Sequence, residues 1–201
     1  SLVHGQHRSE AFDIAVLGNS VTGGHDLGAN HSTRGDLAWP SRLQAALHGQ
    51  GYTNVVVNNL ARSLGGHSCF AVSSLWREPA RAALARARLI IVDYSISDCA
   101  KCCSYPDGMS MPNRRGHHHG VAKVRGAALV DQCTEWLARV LLSQRSRPAV
   151  VYLQTFTAGE CTGYTCASGP ISRWDQWPAI ASLRLPTISY FDAICPNSTA
   201  Q

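Results

Sequence analysis

The chain has 201 residues, enough for one domain with its own core and short for two. Hydrophobic residues make up 45% and charged residues 15%, a balance opposite to that of disordered chains, and no apolar run approaches the roughly 18 residues of a membrane span. The net charge of +5 comes from small basic groups (Arg77, Arg81, Arg86, Arg88; Arg114, Arg115; Arg145, Arg147) without interleaved aromatics or a nucleic-acid motif, so a solvated basic surface is expected, not a nucleic-acid partner.

Phe12–Leu17 is a short apolar run closed by Gly18, as in a buried strand. Trp39–His48 follows as a helix, with Pro40 suited to its first turn and Gly49 and Gly51 to its end. Asn54–Asn58 is a β-branched second strand, and a glycine-containing loop spans Arg62–Ser68. Cys69–Trp76 reads as a helix, and Pro79 opens another, rich in alanine and arginine, that leads into a third strand, Leu89–Tyr94. Residues 99–120 read as an irregular insertion. Val121–Gln144 contains an amphipathic helix with Val124, Ala128, Cys133, Trp136, Leu137, Val140 and Leu141 as its expected buried positions. Ala149–Leu153 is a fourth strand, 157–180 a second irregular segment and Thr187–Phe191 a fifth strand. Strands alternating with helices predict an α/β fold: one three-layer α/β/α domain around a five-stranded parallel sheet, with ligand chemistry at the C-terminal ends of the strands.

Two residue types constrain the chemistry. Eight cysteines (Cys69, Cys99, Cys102, Cys103, Cys133, Cys161, Cys166, Cys195) lean toward an oxidising, secretory setting, with disulfides or free thiols as the leading reading and their pairing open. Cys161-x4-Cys166 has the look of a local disulfide. Cys99, Cys102 and Cys103 with His117, His118 and His119 are a rival zinc set, but no second Cys-x-x-Cys follows at finger spacing. Nine histidines occur and none follows His119.

Three loops can carry chemistry. The first, Gly18-Asn19-Ser20-Val21-Thr22-Gly23-Gly24, offers Ser20 as an exposed nucleophile, or as no more than a helix cap. It lacks the lysine and spacing of a phosphate-binding loop. The second, Asn58–Ser68, contains Gly65 and Gly66, which can present a backbone N–H donor, and His67, best read as a surface histidine. The third, Asp93–Asp98, offers the Ser97 hydroxyl and Asp98, an acid able to cap or orient a neighbour.

Taken together, these loops resemble the SGNH/GDSL hydrolases, a superfamily of esterases, lipases and carbohydrate-ester hydrolases. Gly18-Asn19-Ser20-Val21-Thr22 is similar to its first block, Gly-Asp-Ser-Leu-Thr. Trp39-Pro40-x-x-Leu43 resembles the opening of the next helix. Asn59-x-Ala61 leading to Gly66 resembles the second block, and Ile96-Ser97-Asp98 the Gly-x-Asn-Asp of the third. The resemblance covers 12–98 by motif, and from there to 192 only by the order of elements. It implies a flavodoxin-like fold and hydrolysis or transfer of an acyl group on a small-molecule or glycan ester, without a cofactor or metal. Ser20 would be the nucleophile, with the Gly66 N–H and the Ser97 hydroxyl as oxyanion donors and Asn19 and Asp98 in support.

This sequence departs from the family in three places. Asn19 stands for aspartate, and Ser97 for the asparagine that donates to the oxyanion. The third departure concerns the fourth block, Asp-x-x-His, which supplies base and orienting acid. Asp192-Ala193-Ile194-Cys195 is either a decayed form of it or the place where the sequence stops short of the block. The expectation is the latter: a domain over 1–201 that lacks its last catalytic loop and closing helix. A catalytically inactive binding module with the same fold is the alternative. The specific ester and the oligomeric state are not legible.

Overall fold

Along a β-strand successive side chains point to opposite faces, so a strand that is apolar throughout needs cover on both sides. The first strand shows this directly. Its Ala15 and Leu17 join one buried cluster, while Ile14 and Val16 join another. The computed structural model describes residues 10–24, 34–61, 67–95, 97–98, 126–155 and 176–190. Within them, β1 (Phe12–Gly18), β2 (Val55–Asn59), β3 (Leu89–Asp93), β4 (Ala149–Gln154) and β5 (Thr187–Ser189) form one parallel sheet in the order β2-β1-β3-β4-β5. The described helices are α1 (Arg34–Leu37), α2 (Trp39–Gly49), α3 (Ser68–Ser74), α4 (Ala80–Arg86), α5 (Gly126–Leu142) and α6 (Trp177–Ser182).

The larger cluster packs Ile90, Val92, Val150 and Tyr152 of the sheet against Ala71 of α3, Ala83 and Leu84 of α4, Leu137, Ala138 and Leu141 of α5 and Ile180 of α6. The smaller one packs Ile14, Val16, Val55 and Ile91 against Trp39, Leu43 and Leu47 of α2. The architecture is therefore α/β with helices on both faces, as the alternation of elements implies. At its C-terminal end, α2 turns through Gly51, whose φ of 93° lies in the left-handed region that glycine adopts freely. Cys69 and Cys133 form a disulfide that joins α3 to α5.

The structure corrects the sequence expectation in three places. Residues 177–180, read as irregular, belong to α6, whose first turn carries Pro178. Trp136, expected in the core, is 65% exposed. The buried side of α5 consists of Val130, Cys133, Thr134, Leu137, Ala138 and Leu141, a stripe at helical spacing from which Trp136 points away. The fifth strand ends at Ser189 rather than Phe191. Val124, the 99–120 insertion and the Cys161–Cys166 pair lie outside the described residues, as does the side chain of Ala128.

Candidate active site

In a parallel sheet ordered 2-1-3-4-5, the chain leaves β1 and β3 toward opposite faces, and the crevice beyond their C-terminal ends is the usual ligand site. The two strands are paired so that Gly18 of β1 stands beside Asp93 of β3. The first and third candidate loops therefore start side by side.

The first loop is a compact turn. The Gly23 N–H donates to the Asn19 carbonyl at 2.9 Å and the Gly24 N–H to the Val21 carbonyl at 3.0 Å. Asn19 is buried, and its Oδ1 accepts from the Val21 N–H at 2.9 Å. This short-range acceptor role is one that asparagine fills as aspartate would. Ser20 and Val21 lie exposed on the outside of the turn, whereas Thr22, Gly23 and Gly24 are buried at its base. A Cβ on Gly18 would sit 2.1 Å from Thr22 Oγ1 and 2.6 Å from Thr22 Cβ, so glycine is required there by close approach.

Thr22 links this turn to the rest of the site. Its hydroxyl donates to Asp93 Oδ2 at 2.7 Å, and its carbonyl accepts from Asn59 Nδ2 at 2.9 Å. The other oxygen of Asp93 accepts from Thr155 Oγ1 at 2.9 Å, directly after β4. Thr155 in turn faces Ser95: their hydroxyls are 3.1 Å apart, and the Thr155 N–H donates to Ser95 Oγ at 3.0 Å. Burial raises the pKa of Asp93, and the hydroxyls of Thr22 and Thr155 oppose that rise. The Trp39 indole N–H faces the same carboxyl and also lowers its pKa, although it falls short of hydrogen-bond geometry. Asp93 and Thr155 belong to none of the recognisable blocks. The trace of Asp93 in the sequence is an acid closing an apolar run, LIIVD.

Asp98 is buried in a second network. Its Oδ1 accepts from the Ser68 N–H at 3.0 Å, and its Oδ2 accepts from Ser68 Oγ and Gln176 Nε2, each at 2.5 Å. Burial raises the pKa of Asp98, and the two Ser68 donors, Gln176 and His67 counter it in that order. Asp98 thus ties the loop after β3 to the start of α3 and to the residue before α6. Ser97 is half-buried beside it, and Gly66 lies outside the described residues.

Two histidines are described at helix ends, and both rings are engaged. His48 sits at the opposite rim, its Nε2 2.8 Å from the Val55 carbonyl. His67 caps α3, its Nδ1 accepting from the Phe70 N–H at 3.4 Å. Among the described residues, no group of three or more His, Cys, Asp or Glu could hold a metal ion. The Cys99–Cys103 and His117–His119 set lies outside them.

No protein-family model matches the chain, and no curated protein matches it. Solved structures do. The fold is similar to that of a two-domain esterase (CEX) active on acetylated mannans, with a TM-score of 0.55 at 16% sequence identity. It is equally similar to that esterase co-crystallised with mannopentaose, with a TM-score of 0.56 at 16% identity. Each match covers 95% of this chain and 40% of the esterase chain. At that identity the likeness is one of fold, and this chain spans well under half the length of the protein it resembles.

Proposed function

We propose that the chain is an SGNH/GDSL-type serine esterase module that acts on an acetylated glycan. The observation that carries this reading is the placement of Ser20. It is exposed on a tight turn at the C-terminal end of β1, at the switch point of the sheet. The fold likeness to an esterase active on acetylated mannans supports the substrate class. In this reading Ser20 Oγ attacks the ester carbonyl, and the backbone N–H groups of Ser20 and Gly66 with the Ser97 hydroxyl receive the oxyanion. The Ser20 proton passes to a histidine oriented by an acid. We place that pair in the family's Asp-x-x-His block, since His67 is committed as a helix cap. Transfer of the acyl group to a sugar hydroxyl in place of water is the same chemistry with a different acceptor.

The test is acetate release from acetylated mannan by protein extended along its coding sequence to include that block. Ser20→Ala is expected to abolish release, because a serine nucleophile has no substitute. Equal release by the variant would sink the assignment. A binding module is the second reading, favoured by Ser97 in place of the usual donor and by the engagement of both described histidine rings. It predicts that mannan binds with the same affinity before and after Ser20→Ala and that no acetate appears.

A further inference from the structure

The hydroxyl of Ser20 makes no hydrogen bond with another described residue, so its position is inherited from the turn beneath it. Among the described residues, the side-chain hydrogen bonds that tie that turn to the neighbouring strands converge on Thr22. Thr22 gives its hydroxyl proton to Asp93 Oδ2 and its carbonyl to Asn59 Nδ2, and its side chain occupies the space over Gly18. Thr155 donates its hydroxyl proton to Asp93 Oδ1. Its hydroxyl lies 3.1 Å from that of Ser95, whose Oγ accepts from the Thr155 N–H at 3.0 Å. The carboxylate is thereby oriented from β4 and from the loop after β3, with one oxygen left for the Ser20 turn.

We propose that Thr22 and Asp93 are a positioning pair that fixes the Ser20 turn for nucleophilic attack, with Thr155 and Ser95 holding the carboxylate in place. The proposal rests on the reading of Ser20 as a nucleophile and adds to it the residues that aim the serine. Neither member of the pair is assigned a contact with substrate. Both act through the backbone of the turn. An acid that served only to hold the sheet together would have no need to end on the turn that bears Ser20.

The experiment compares the wild type with Thr22→Val, which keeps the shape and removes the hydroxyl, and Thr22→Ser, which restores the hydroxyl. Amide hydrogen exchange of residues 19–24 is read against exchange in β1, β3 and β4. Covalent labelling of Ser20 by a fluorophosphonate is read as the rate at saturating probe and as the probe concentration at half that rate. Thr22→Val is expected to speed exchange in 19–24 selectively. It should lower the saturating labelling rate by up to about 100-fold, the effect of misplacing a reacting group by about 1 Å, with half-saturation unchanged. Thr22→Ser is expected to restore both. The proposal is overturned if Thr22→Val leaves exchange in 19–24 unchanged, if exchange rises equally across the sheet, or if Thr22→Ser fails to restore it. Asp93→Asn, which loses one acceptor, serves as a second variant should Thr22→Val not fold. Labelling is done on protein extended to include the Asp-x-x-His block, since Ser20 without its base is a weak nucleophile; a wild type of that length that takes no label at Ser20 sinks the hydrolase reading, and the exchange data alone then decide whether Thr22 and Asp93 fix the turn.

Discussion

Gly18 has no room for a side chain. A methyl group there would overlap Thr22 Oγ1 and crowd its Cβ and Cγ2, and Thr22 cannot retreat without breaking its bonds to Asp93 and Asn59. Gly18→Ala is therefore expected to destabilise the fold by about 1–3 kcal/mol, the usual cost of overpacking, measured by denaturant unfolding. The buried acids make a second prediction. Burial holds the folded pKa of both Asp93 and Asp98 above the ordinary value of 3.8. The folded state then binds these protons more tightly than the unfolded state does. Stability from these groups is greatest below that ordinary value and falls as pH rises through the elevated folded pKa values. Unfolding free energies taken across that window are expected to decline less steeply in Asp93→Asn and Asp98→Asn than in the wild type. A wild-type profile that rises relative to both variants would contradict this. At this scale Asn19, Ser20 and Asp98 are legible in the sequence because they fall in short contiguous blocks. Asp93, Thr155 and Gln176 are not, because their roles come from side chains that meet across 71, 62 and 78 positions of sequence.

The elements themselves are easier to read than their faces. Each strand is announced by an apolar, β-branched run, and each described long helix by its spacing. The direction in which α5 buries itself is hidden by composition, because Trp136 is large and apolar while Thr134 and Ala138 look neutral. Trp136 lies roughly 130° around the helix from the centre of the buried stripe at 3.6 residues per turn. The helix α6 escapes because it is short and sits in a segment rich in glycine and proline, yet it opens on Trp177-Pro178 just as α2 opens on Trp39-Pro40. The Cys69–Cys133 bond fastens α3 to α5 and closes a separation of 64 residues. Since α3 starts with the Ser68 that Asp98 holds, the bond also steadies one wall of the site. Cys69→Ser with Cys133→Ser is expected to lower stability by about 2–4 kcal/mol, in keeping with a loop of that length. A melting temperature equal to that of the unreduced wild type would contradict it.

For the whole molecule, the order β2-β1-β3-β4-β5 decides where chemistry can occur more firmly than any one motif, because it brings the Ser20 turn and the Asp93–Asp98 loop to one crevice. The likeness in fold to a two-domain esterase extends over 40% of that chain. Under the proposed function, the 201-residue chain alone is expected to hydrolyse p-nitrophenyl acetate barely above background, since a serine hydroxyl without an adjacent base is weak. Rapid turnover that vanishes in Ser20→Ala would instead move the base into this chain and make His67 or His117–His119 the suspects. The parallel sheet also makes the molecule polar in a practical sense. Every described helix-to-strand turn, at Gln50–Asn54, Ala87–Arg88, Ser143–Pro148 and Leu183–Pro186, enters the sheet from the rim away from Ser20. Gln50 and Arg145 are exposed on that rim. A tether attached at either one would hold the protein on a sensor surface or resin with Ser20 facing outward, so that a polysaccharide too large to enter a crowded layer could still reach it.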